Sequence, residues 1–311
     1  VTSTQAVSRL KRLFHANKCG HAGTLDPLAS GLLPIAFGEA TKTVSFVMDG
    51  TKVYRFTVRW GAQTATDDAE GEVIARADGR PSRAEIEAIL PEFIGEIMQV
   101  PPKFSAIKID GERAYDLARD GEEVELEARP IEILDLALVE VPDADTAVFE
   151  CECGKGTYVR ALARDMGLRL ATRGHVIGLR RVHVGPFEEA DMIPLAEIEA
   201  AGEAGGSEAA RAFLAPIEAG LAEVTEVPVN RDAAARLRRG QSVILRGRDA
   251  PADEDAVYAT CAGDLVAIGE VERGELVPAA EVKARWFEHG RAIRADAGDG
   301  AVIQAHECRR G

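Results

Sequence analysis

Several stretches of the chain have the pattern of β-strands, and one of them alternates apolar and polar positions cleanly. In residues 53–60, Tyr54, Phe56, Val58 and Trp60 fall on one face, and the intervening positions are mostly Arg or Thr. Residues 148–153 show a second such stretch. The segments VYATC and LVAIGEV flank Ala262-Gly263-Asp264, which predicts a β-hairpin.

Helical spacing appears at four places. Val7, Leu10, Leu13 and Phe14 predict a helix over residues 3–14, with Ser3 or Thr4 as its N-cap. The sequence Ser82-Arg83-Ala84-Glu85 is a capping box that opens a short helix. A longer helix is predicted from about Thr157 to Leu170, and a capped one over residues 230–239 ending at Gly240.

Other segments carry little periodicity. Residues 100–119 are expected to run as an extended piece, a turn at Asp110-Gly111 and then a helix. The Ala-, Gly- and Glu-rich residues 196–212 predict a connector or insertion, and residues 290–311 a loose, disordered tail. Between them, the change of pattern near Val224 predicts a separate small β-rich module.

The run Gly20-His21-Ala22-Gly23-Thr24-Leu25-Asp26-Pro27-Leu28-Ala29-Ser30-Gly31 is the most informative segment. It contains too many turn-forming residues for a helix or a central strand, and its apolar positions predict that it lines a pocket. Asp26 is therefore a candidate catalytic acid on a rigid loop. Its simpler interpretation is a turn in which the Asp26 side chain bonds its own backbone.

Composition narrows the class of protein. The 311 residues are 46% hydrophobic and 29% charged, as in globular proteins, and no apolar run reaches the length of a membrane span. We expect a cytoplasmic protein without a leader. The formal net charge is −15, yet residues 1–60 and 151–185 each carry +5. These two segments indicate either a face for an anionic ligand or ordinary solvated helix surfaces.

The five cysteines, Cys19, Cys151, Cys153, Cys261 and Cys308, are scattered and lack a second pair at zinc spacing. Structural thiols in a reducing compartment are expected, and no metal site. The six histidines are dispersed, no phosphate-binding loop is present, and Ser30 lacks the context of a nucleophile elbow. What remains is a set of Asp26, Tyr54, the segment Gly154 to Arg160 and the segment His175 to Arg181. A carboxylate that must stay ionised in an apolar pocket needs a cation such as Arg, and an aromatic ring suits a flat substrate.

Six motifs occur in an order that resembles one known family. They are GHAGTLDPLASGLLPI, KVYRF, TATDDAEG, PPKFSAIKIDGERAYDLARDG, GKGTYVR and HVIGLRR. Together they resemble the TruB family of tRNA pseudouridine synthases over roughly residues 1–195. The segment from about 224 to 286 resembles, more weakly, the small RNA-binding PUA domain that bacterial members carry.

The resemblance implies an α+β catalytic domain with a mixed, largely antiparallel sheet flanked by helices, and no metal or cofactor. The reaction would isomerise uridine to pseudouridine at position 55 in the tRNA T arm. Asp26 would be the catalytic acid, paired with Arg160, and Tyr54 would stack on the flipped base and could transfer a proton. Tyr158 and Leu179 would close the pocket, His21 would support the extruded RNA, Asp68 matches a family acid, and Lys155 is a further candidate for RNA binding.

The expected organisation is a catalytic domain at 1–222, a PUA-like module at 223–289 and a tail at 290–311, in a monomer with tRNA as partner and no obligatory protein partner. Two features depart from the family pattern. Its members begin with a strand and a Lys-Pro loop, whereas this sequence begins after that point, and Phe104 stands where the family usually has Tyr.

Three other functions compete with this interpretation. The first is an RNA-binding protein that helps tRNA to fold without turnover. The second is a guide-dependent synthase of the same superfamily, and the third is an enzyme for a small molecule. Alone, Tyr54 would be an ordinary core aromatic and Arg160 a surface charge, so the assignment of these residues depends on the resemblance.

Overall fold

The computed structural model describes residues 1–105, 108–109, 112–113, 126–245, 247, 251–281 and 301–306. The chain divides into two units. Unit 1 consists of Val1–Leu25, Leu33–Met48 and Gly185–Gly311, and unit 2 of Asp26–Leu32 and Asp49–Val184. The predicted boundary at 222/223 remains a prediction, because this division is drawn at other positions.

The α-helices of the described residues are α1 Ser3–Leu13, α2 Val44–Asp49, α3 Arg83–Ile89, α4 Val159–Arg169, α5 Leu195–Ala210 and α6 Arg231–Leu237. Short 3-10 helices lie at Gly38–Lys42, Leu90–Phe93, Glu189–Asp191, Arg211–Phe213 and Ile217–Leu221. The strands are β1 Cys19–His21, β2 Ala29–Phe37, β3 Lys52–Trp60, β4 Ala62–Thr64, β5 Val73–Arg76, β6 Gly95–Gln99, β7 Lys108–Ile109, β8 Glu112–Arg113, β9 Arg129–Asp143, β10 Thr146–Cys153, β11 Gly174–Val184, β12 Phe187–Glu188, β13 Ile193–Pro194, β14 Thr225–Pro228, β15 Val243–Ile244, β16 Glu254–Cys261, β17 Asp264–Glu272, β18 Glu275–Glu281 and β19 Ala301–His306.

Unit 2 is built on a mixed sheet in which residues 29–31 of β2, then β11, β3, β10, β9 and β6 follow one another. The β2–β11 pair is parallel, and the others are antiparallel. The alternation predicted for β3 is present: Phe56 and Val58 are buried, whereas Arg55 and Arg59 are exposed. The Phe56 and Phe149 rings stack with centroids 5.4 Å apart. The α+β class predicted from the sequence is confirmed.

Helix α4 packs against the beginning of β11 at close range. A Cβ atom on Gly167 would lie 2.5 Å from the Gly174 nitrogen, and one on Gly174 would lie 2.8 Å from the Ala163 carbonyl oxygen. Glycine at both positions allows this approach. Leu162 and Met166, which stand one helical turn apart, are fully buried, so this face of the predicted helix packs against the core. The contact fixes where the first turn of α4, which contains Arg160, lies over the sheet.

Within unit 1, one local prediction needed correction. The N-cap of α1 is Thr2, which forms a capping box with Gln5, and neither Ser3 nor Thr4 has that role. Most of residues 196–212, predicted as a connector or insertion, lie in helix α5. Buried Leu195 and Ile198 anchor its first turn, and the glycine-rich composition appears as a kink at Gly206, where φ is 70°.

The predicted β-rich module is a five-stranded sheet in the order β14, β16, β17, β18, β15, with its own buried core. The predicted hairpin is present as β16–β17, and its turn residues Ala262 and Gly263 have φ of 56° and 88°. Positive φ at both central residues is what a tight hairpin turn requires. Helix α6 has the predicted Asn230 cap and is shorter than expected. That the module is of PUA type stays a prediction.

Two predicted segments fall largely outside the described residues. In 100–119, strands β7 and β8 pair antiparallel, and the predicted turn at 110–111 and the helix after it lie outside the described residues. In 290–311, only 301–306 are described, and they form β19, which pairs in parallel with β13. This strand differs from the loose tail expected, and its β-branched Val302 and Ile303 favour extended structure.

Candidate active site

The loop that carries Asp26 is a turn immediately before β2. The Ala29 N–H donates to the main-chain carbonyl of Asp26 at 2.8 Å, so the turn is closed by backbone atoms. The Asp26 carboxylate takes no part in that bond and faces Arg160. The competing interpretation, in which the side chain only stabilises its own turn, therefore does not describe this loop. At its ends, Gly20-His21 belong to β1 and Ala29 to Gly31 to β2, where the sequence suggested no strand.

Gly31 allows the last residues of the segment Gly20–Gly31 to form the start of strand β2. Its φ is +100°, and a Cβ atom there would lie 2.1 Å from the Arg181 carbonyl oxygen of β11. Only glycine combines this backbone conformation with so close an approach. The Gly-rich end of the run is thus a strand fitted tightly against β11.

Arg160, in the first turn of α4, binds both oxygens of the Asp26 carboxylate. Its Nε donates to Oδ2 at 2.8 Å and its Nη2 donates to Oδ1 at 3.1 Å. The Arg160 side chain is 5% exposed, while that of Asp26 is 30% exposed. The ion pair predicted from the sequence is therefore present, with the carboxylate open to solvent on one side. Two parallel charge-assisted bonds hold the plane of the carboxylate as well as its charge.

The remaining donors of Arg160 bind the surrounding loops. Nη1 donates to the Thr66 carbonyl at 3.0 Å and Nη2 donates to the Phe104 carbonyl at 3.0 Å. Nη1 also lies 3.5 Å from Oδ2 of Asp68. The Phe104 contact is made by the backbone, so the replacement of the family tyrosine by phenylalanine leaves it intact. Arg160 joins three separate loops around one carboxylate.

The two carboxylate oxygens of Asp68 have different partners. Its Oδ1 accepts hydrogen bonds from the Thr66 hydroxyl at 2.5 Å and from the Glu70 N–H at 3.0 Å, as a turn-stabilising acid would. Its Oδ2 faces Arg160, and the side chain is 5% exposed. Asp68 is therefore a second, buried counter-charge to the same guanidinium, held by its own turn.

The neighbouring pair of Asp67 and Arg164 was not singled out from the sequence. Arg164 Nη1 lies 3.1 Å from Asp67 Oδ2, and Arg164 also pairs with Asp165 at 2.8 Å. Burial raises the pKa of the Asp67 carboxyl, and the charge of Arg164 opposes that shift. Arg164 stands one turn after Arg160, so the helical period alone could have indicated a second inward-facing arginine.

Tyr54 lies in β3 directly opposite Arg181 of β11 and Cys151 of β10. Burial raises the pKa of the Tyr54 hydroxyl, while a hydrogen bond from Arg181 acts in the opposite direction and the charge of Asp26 raises it further. Arg181 is 1% exposed, and its Nε donates to the Leu32 carbonyl at 2.9 Å. Because arginine can only donate, the Tyr54 oxygen accepts from it and the phenolic hydrogen remains for another acceptor. Arg181 lies in the candidate segment His175 to Arg181 but was not itself named as a site residue.

Tyr158 and Leu179 complete the apolar surroundings. Tyr158 is the N-cap residue of α4 and is partly buried. Burial raises the pKa of its hydroxyl, the charge of Asp26 raises it further, and the charge of Arg160 opposes the shift. Leu179 is 7% exposed and lies opposite Phe56, on the same face as Tyr54 and Arg181. The structure thus brings Asp26, Asp68, Tyr158 and Arg160 into one connected group, with Tyr54 and Leu179 on the adjoining sheet face.

The last two predicted site residues are Lys155 and His21. Lys155 is exposed and pairs with Asp49 at 2.8 Å. His21 is the final residue of β1, opposite Ile35, and belongs to unit 1. In the predicted basic segment 151–185, Lys155, Arg160, Arg164 and Arg169 each have a carboxylate partner. Much of that positive charge is therefore neutralised within the protein.

Among the described residues, no group of three or more His, Cys, Asp and Glu side chains could hold a metal ion. None of the described helices is both long and apolar enough to cross a membrane. Cys151 and Cys153 are buried free thiols, Cys19 and Cys261 are free thiols that are partly buried, and Cys308 lies outside the described residues.

Comparison with known families gives two adjacent matches. Residues 11–159 match the model described as "TruB family pseudouridylate synthase (N terminal domain)". Residues 160–222 match the model described as "tRNA pseudouridylate synthase B C-terminal domain". The junction between the two matches falls between Val159 and Arg160.

Curated proteins and solved structures agree with these matches. A "tRNA pseudouridine synthase B" from Bradyrhizobium diazoefficiens is 61% identical over 280 residues, which cover 89% of this chain and 81% of that protein. The protein of the same name from Agrobacterium fabrum is 58% identical over 280 residues, covering 89% of each chain. The structure described as "Crystal Structure of a Cbf5-Nop10-Gar1 Complex" aligns with a TM-score of 0.68 and 25% identity, over 91% of this chain and 81% of that one.

Proposed function

Because the chain belongs to the TruB family of pseudouridylate synthases, we propose that it isomerises uridine to pseudouridine in tRNA, at position 55 of the T arm. The relatives at 58–61% identity, all named tRNA pseudouridine synthase B, support the tRNA substrate. The observation that carries the proposal is the two-point ion pair between Arg160 and Asp26. It presents an oriented, partly exposed carboxylate beside two tyrosines.

The target base must leave the RNA stack before Asp26 can act on it. A glycosidic carbon inside stacked RNA cannot be reached, so the uridine flips into the site, at a cost of a few kcal/mol. Stacking of the uracil on Tyr54 returns about 1–3 kcal/mol of that cost. Leu179 and Tyr158 then exclude water around the base. The T arm itself is recognised by its shape and its phosphates.

The chemistry needs no net addition or loss of atoms. The bond from C1′ to N1 of uracil breaks, the base rotates within the pocket, and a bond forms from C1′ to C5. A proton leaves C5, and N1 ends the reaction protonated. Asp26 acts in its ionised form, either by attack on C1′ or by removal of a sugar proton. Tyr54, whose hydroxyl oxygen accepts a hydrogen bond from Arg181, is the candidate for the proton transfer.

The other residues support this centre. In the proposal, Asp68 shares the charge of Arg160 and keeps the guanidinium from turning toward solvent. Lys155 and His21 contact the RNA outside the reacting base. The protein works as a monomer, without a protein partner or guide RNA, in the cytoplasm. No cofactor or metal is needed, because Asp26 and the two tyrosines supply the acid–base groups.

The test is a reaction between the purified chain and an unmodified T-arm stem-loop, in EDTA and without other RNA or protein. Pseudouridine is located by mass-resolved mapping after chemical tagging. The matched control RNA has the same sequence, with its other uridines, but carries cytidine at position 55. Product at position 55 alone supports the proposal, and product only after addition of a guide RNA would favour the guide-dependent alternative.

Binding without product would favour the tRNA-folding alternative.

Salt dependence addresses the third alternative, a small-molecule enzyme. Phosphate contacts make RNA affinity fall steeply with salt concentration, because bound counterions are released. Affinity for the T arm that does not change with salt would contradict a functional RNA interface.

A further inference from the structure

The start of helix α4 carries two functional side chains and has no capping side chain of its own. Its N-cap residue is Tyr158, whose side chain makes no capping hydrogen bond, and the first turn contains no acidic residue. A helix start of this kind leaves backbone N–H groups without an intrahelical partner. Tyr158 and Arg160 both belong to this turn, so whatever fixes it also fixes them.

The missing support comes from Gln99, the last residue of β6. Its Oε1 accepts a hydrogen bond from the Tyr158 N–H at 2.9 Å, and its Nε2 donates to the Tyr158 carbonyl at 3.2 Å. The same carbonyl accepts the first helical bond from the Leu162 N–H at 3.1 Å. Gln99 is 2% exposed, so water does not replace these bonds. The amide of Gln99 offers both a donor and an acceptor in one plane without charge.

Two further contacts join the residues after Gln99 to the same helix. Arg164 Nη2 donates to the Val100 carbonyl at 2.7 Å, one turn beyond Arg160. Arg160 Nη2 donates to the Phe104 carbonyl at 3.0 Å. The segment 99–104 therefore holds α4 at residues 158, 160 and 164. Of these contacts, those of Gln99 are made with the backbone at the start of α4, whereas the other two are made with arginine side chains of the helix.

We propose that Gln99 is a positioning residue of the active site, which sets where α4 begins so that Tyr158 and Arg160 face Asp26. Gln99 does not touch the substrate and acts through the Tyr158 backbone. Gln99 lies 59 positions before Tyr158, and no motif links the two. The inference rests on the proposed function, since it concerns the geometry of that site.

Two substitutions separate positioning from general stability. Gln99→Met keeps the length of the side chain and removes both hydrogen bonds. We expect the single-turnover rate of pseudouridine formation to fall about 10- to 100-fold, as misplacement of catalytic groups does. The affinity for the T-arm RNA should stay within about threefold, because phosphate contacts are untouched. A loss of affinity as large as the loss of rate would overturn the proposal.

Gln99→Glu adds a readout that a structural role would not move. The ionised carboxylate accepts from the Tyr158 N–H and repels its carbonyl, whereas the protonated carboxyl restores one donor and one acceptor. Burial raises the pKa of such a group above the usual value of about 4.3. The rate relative to the parent should therefore rise at least about fivefold as pH falls from about 8 to 5.5. For Gln99→Met, the rate relative to the parent should not change with pH. If this relative rate were independent of pH for both variants, the inference would be contradicted.

A matched control and a second measurement keep the test independent of activity. Ser82→Ala removes a helix-start hydrogen bond at α3, which carries no site residue, and should leave the rate unchanged. Hydrogen–deuterium exchange of residues 158–162 should accelerate in Gln99→Met and not in Ser82→Ala. Unchanged exchange at residues 158–162 in Gln99→Met would refute the positioning role of Gln99. If the parent protein made no pseudouridine, the proposed function would fail. Hydrogen–deuterium exchange alone would then test whether Gln99 fixes the start of α4.

Discussion

Arg160 and Asp26 meet through two nearly parallel hydrogen bonds of 2.8 and 3.1 Å, although 134 positions separate them in the sequence. The arginine is buried and the carboxylate is partly open. This difference in exposure assigns different tasks to the two partners. Arg160 belongs to the internal framework, and Asp26 is the group that can reach a substrate.

Asp26→Asn should abolish turnover and preserve binding. The amide keeps the shape and one acceptor for Arg160, but it cannot act as a base or nucleophile. We expect the single-turnover rate to fall at least about 10³-fold, as in other enzymes that lose their central group. The affinity for T-arm RNA, measured by filter binding, should change by no more than about threefold.

The control for this variant is Asp145→Asn, which removes an exposed carboxylate that pairs with Arg80. Its rate should equal that of the parent. Parallel loss of rate and RNA affinity in Asp26→Asn would contradict the catalytic assignment.

Arg160→Met should reduce both stability and rate. It leaves the buried Asp68 carboxylate without its cation and two backbone carbonyls without a donor. Breaking a buried pair in this way costs about 3 kcal/mol of unfolding free energy. Urea denaturation gives the change, and turnover should be lost with it.

Arg169→Met is the matched control on the same helix. Arg169 also binds a carboxylate through two nitrogens, that of Glu92, but both side chains are about half exposed. Exposed pairs contribute less than about 1 kcal/mol. Equal destabilisation by the two substitutions would show that Arg160 is not an internal framework residue.

Tyr54→Phe and Tyr54→Ala should separate stacking from proton transfer. In an Asp26→Asn background, where RNA is bound and not converted, Phe should bind as the parent does. Ala should bind more weakly by about 1–3 kcal/mol, the contribution of one stacked base. With Asp26 present, Phe should lower the rate about 10- to 100-fold, through loss of the hydroxyl. Equal RNA affinity for Phe and Ala would exclude stacking on this ring.

The same residue makes a prediction for pH. Burial raises the pKa of Tyr54, so the phenol keeps its proton at neutral and mildly alkaline pH. Turnover should therefore not decline through ionisation of Tyr54 until above about pH 10, the usual value for tyrosine. The rate–pH profile of Tyr54→Phe, compared with that of the parent, isolates this contribution. An alkaline decline near pH 8 that disappears in Tyr54→Phe would contradict the direction of the shift.

Gly31→Ala should destabilise the protein more than its backbone angle alone explains. A methyl group at Gly31 meets the Arg181 carbonyl at 2.1 Å, so β2 and β11 must separate. Gly95 has a similar φ of +98°, with no atom within 4 Å of its Cβ position. Gly95→Ala therefore measures the strain of the angle, about 1–2 kcal/mol. Gly31→Ala should exceed it by at least about 1 kcal/mol in thermal unfolding, and equal values would contradict the close strand contact.

The sequence predicted what is decided locally. The alternation in β3, the capping box before α3 and the β16–β17 hairpin follow from neighbouring residues, and each is present. Helix α5 was missed because Ala, Gly and Glu give no strong period, and burial of Leu195 and Ile198 decides its conformation. The pairing of Asp26 with Arg160 was expected from the motifs of a family, and spacing alone could not have indicated it.

Three of the residues missed at the site share one property: each binds backbone atoms. Gln99 binds the peptide of Tyr158, Arg181 binds the Leu32 carbonyl, and Arg164 binds the Val100 carbonyl. Such partners have no chemical type that a sequence pattern could match, since every residue has a carbonyl. The helical period could have indicated the position of Arg164, but these backbone contacts become visible only when the chain is folded.

Each nitrogen of the Arg160 guanidinium has an acceptor within the protein before any RNA arrives. Asp26 is therefore oriented during folding, and substrate binding does not have to supply the free energy for it. For protein engineering, this divides the site into two parts. An attempt to redirect the enzyme to another RNA should alter the residues around the rim, because a change at Arg160 would dismantle three loops together.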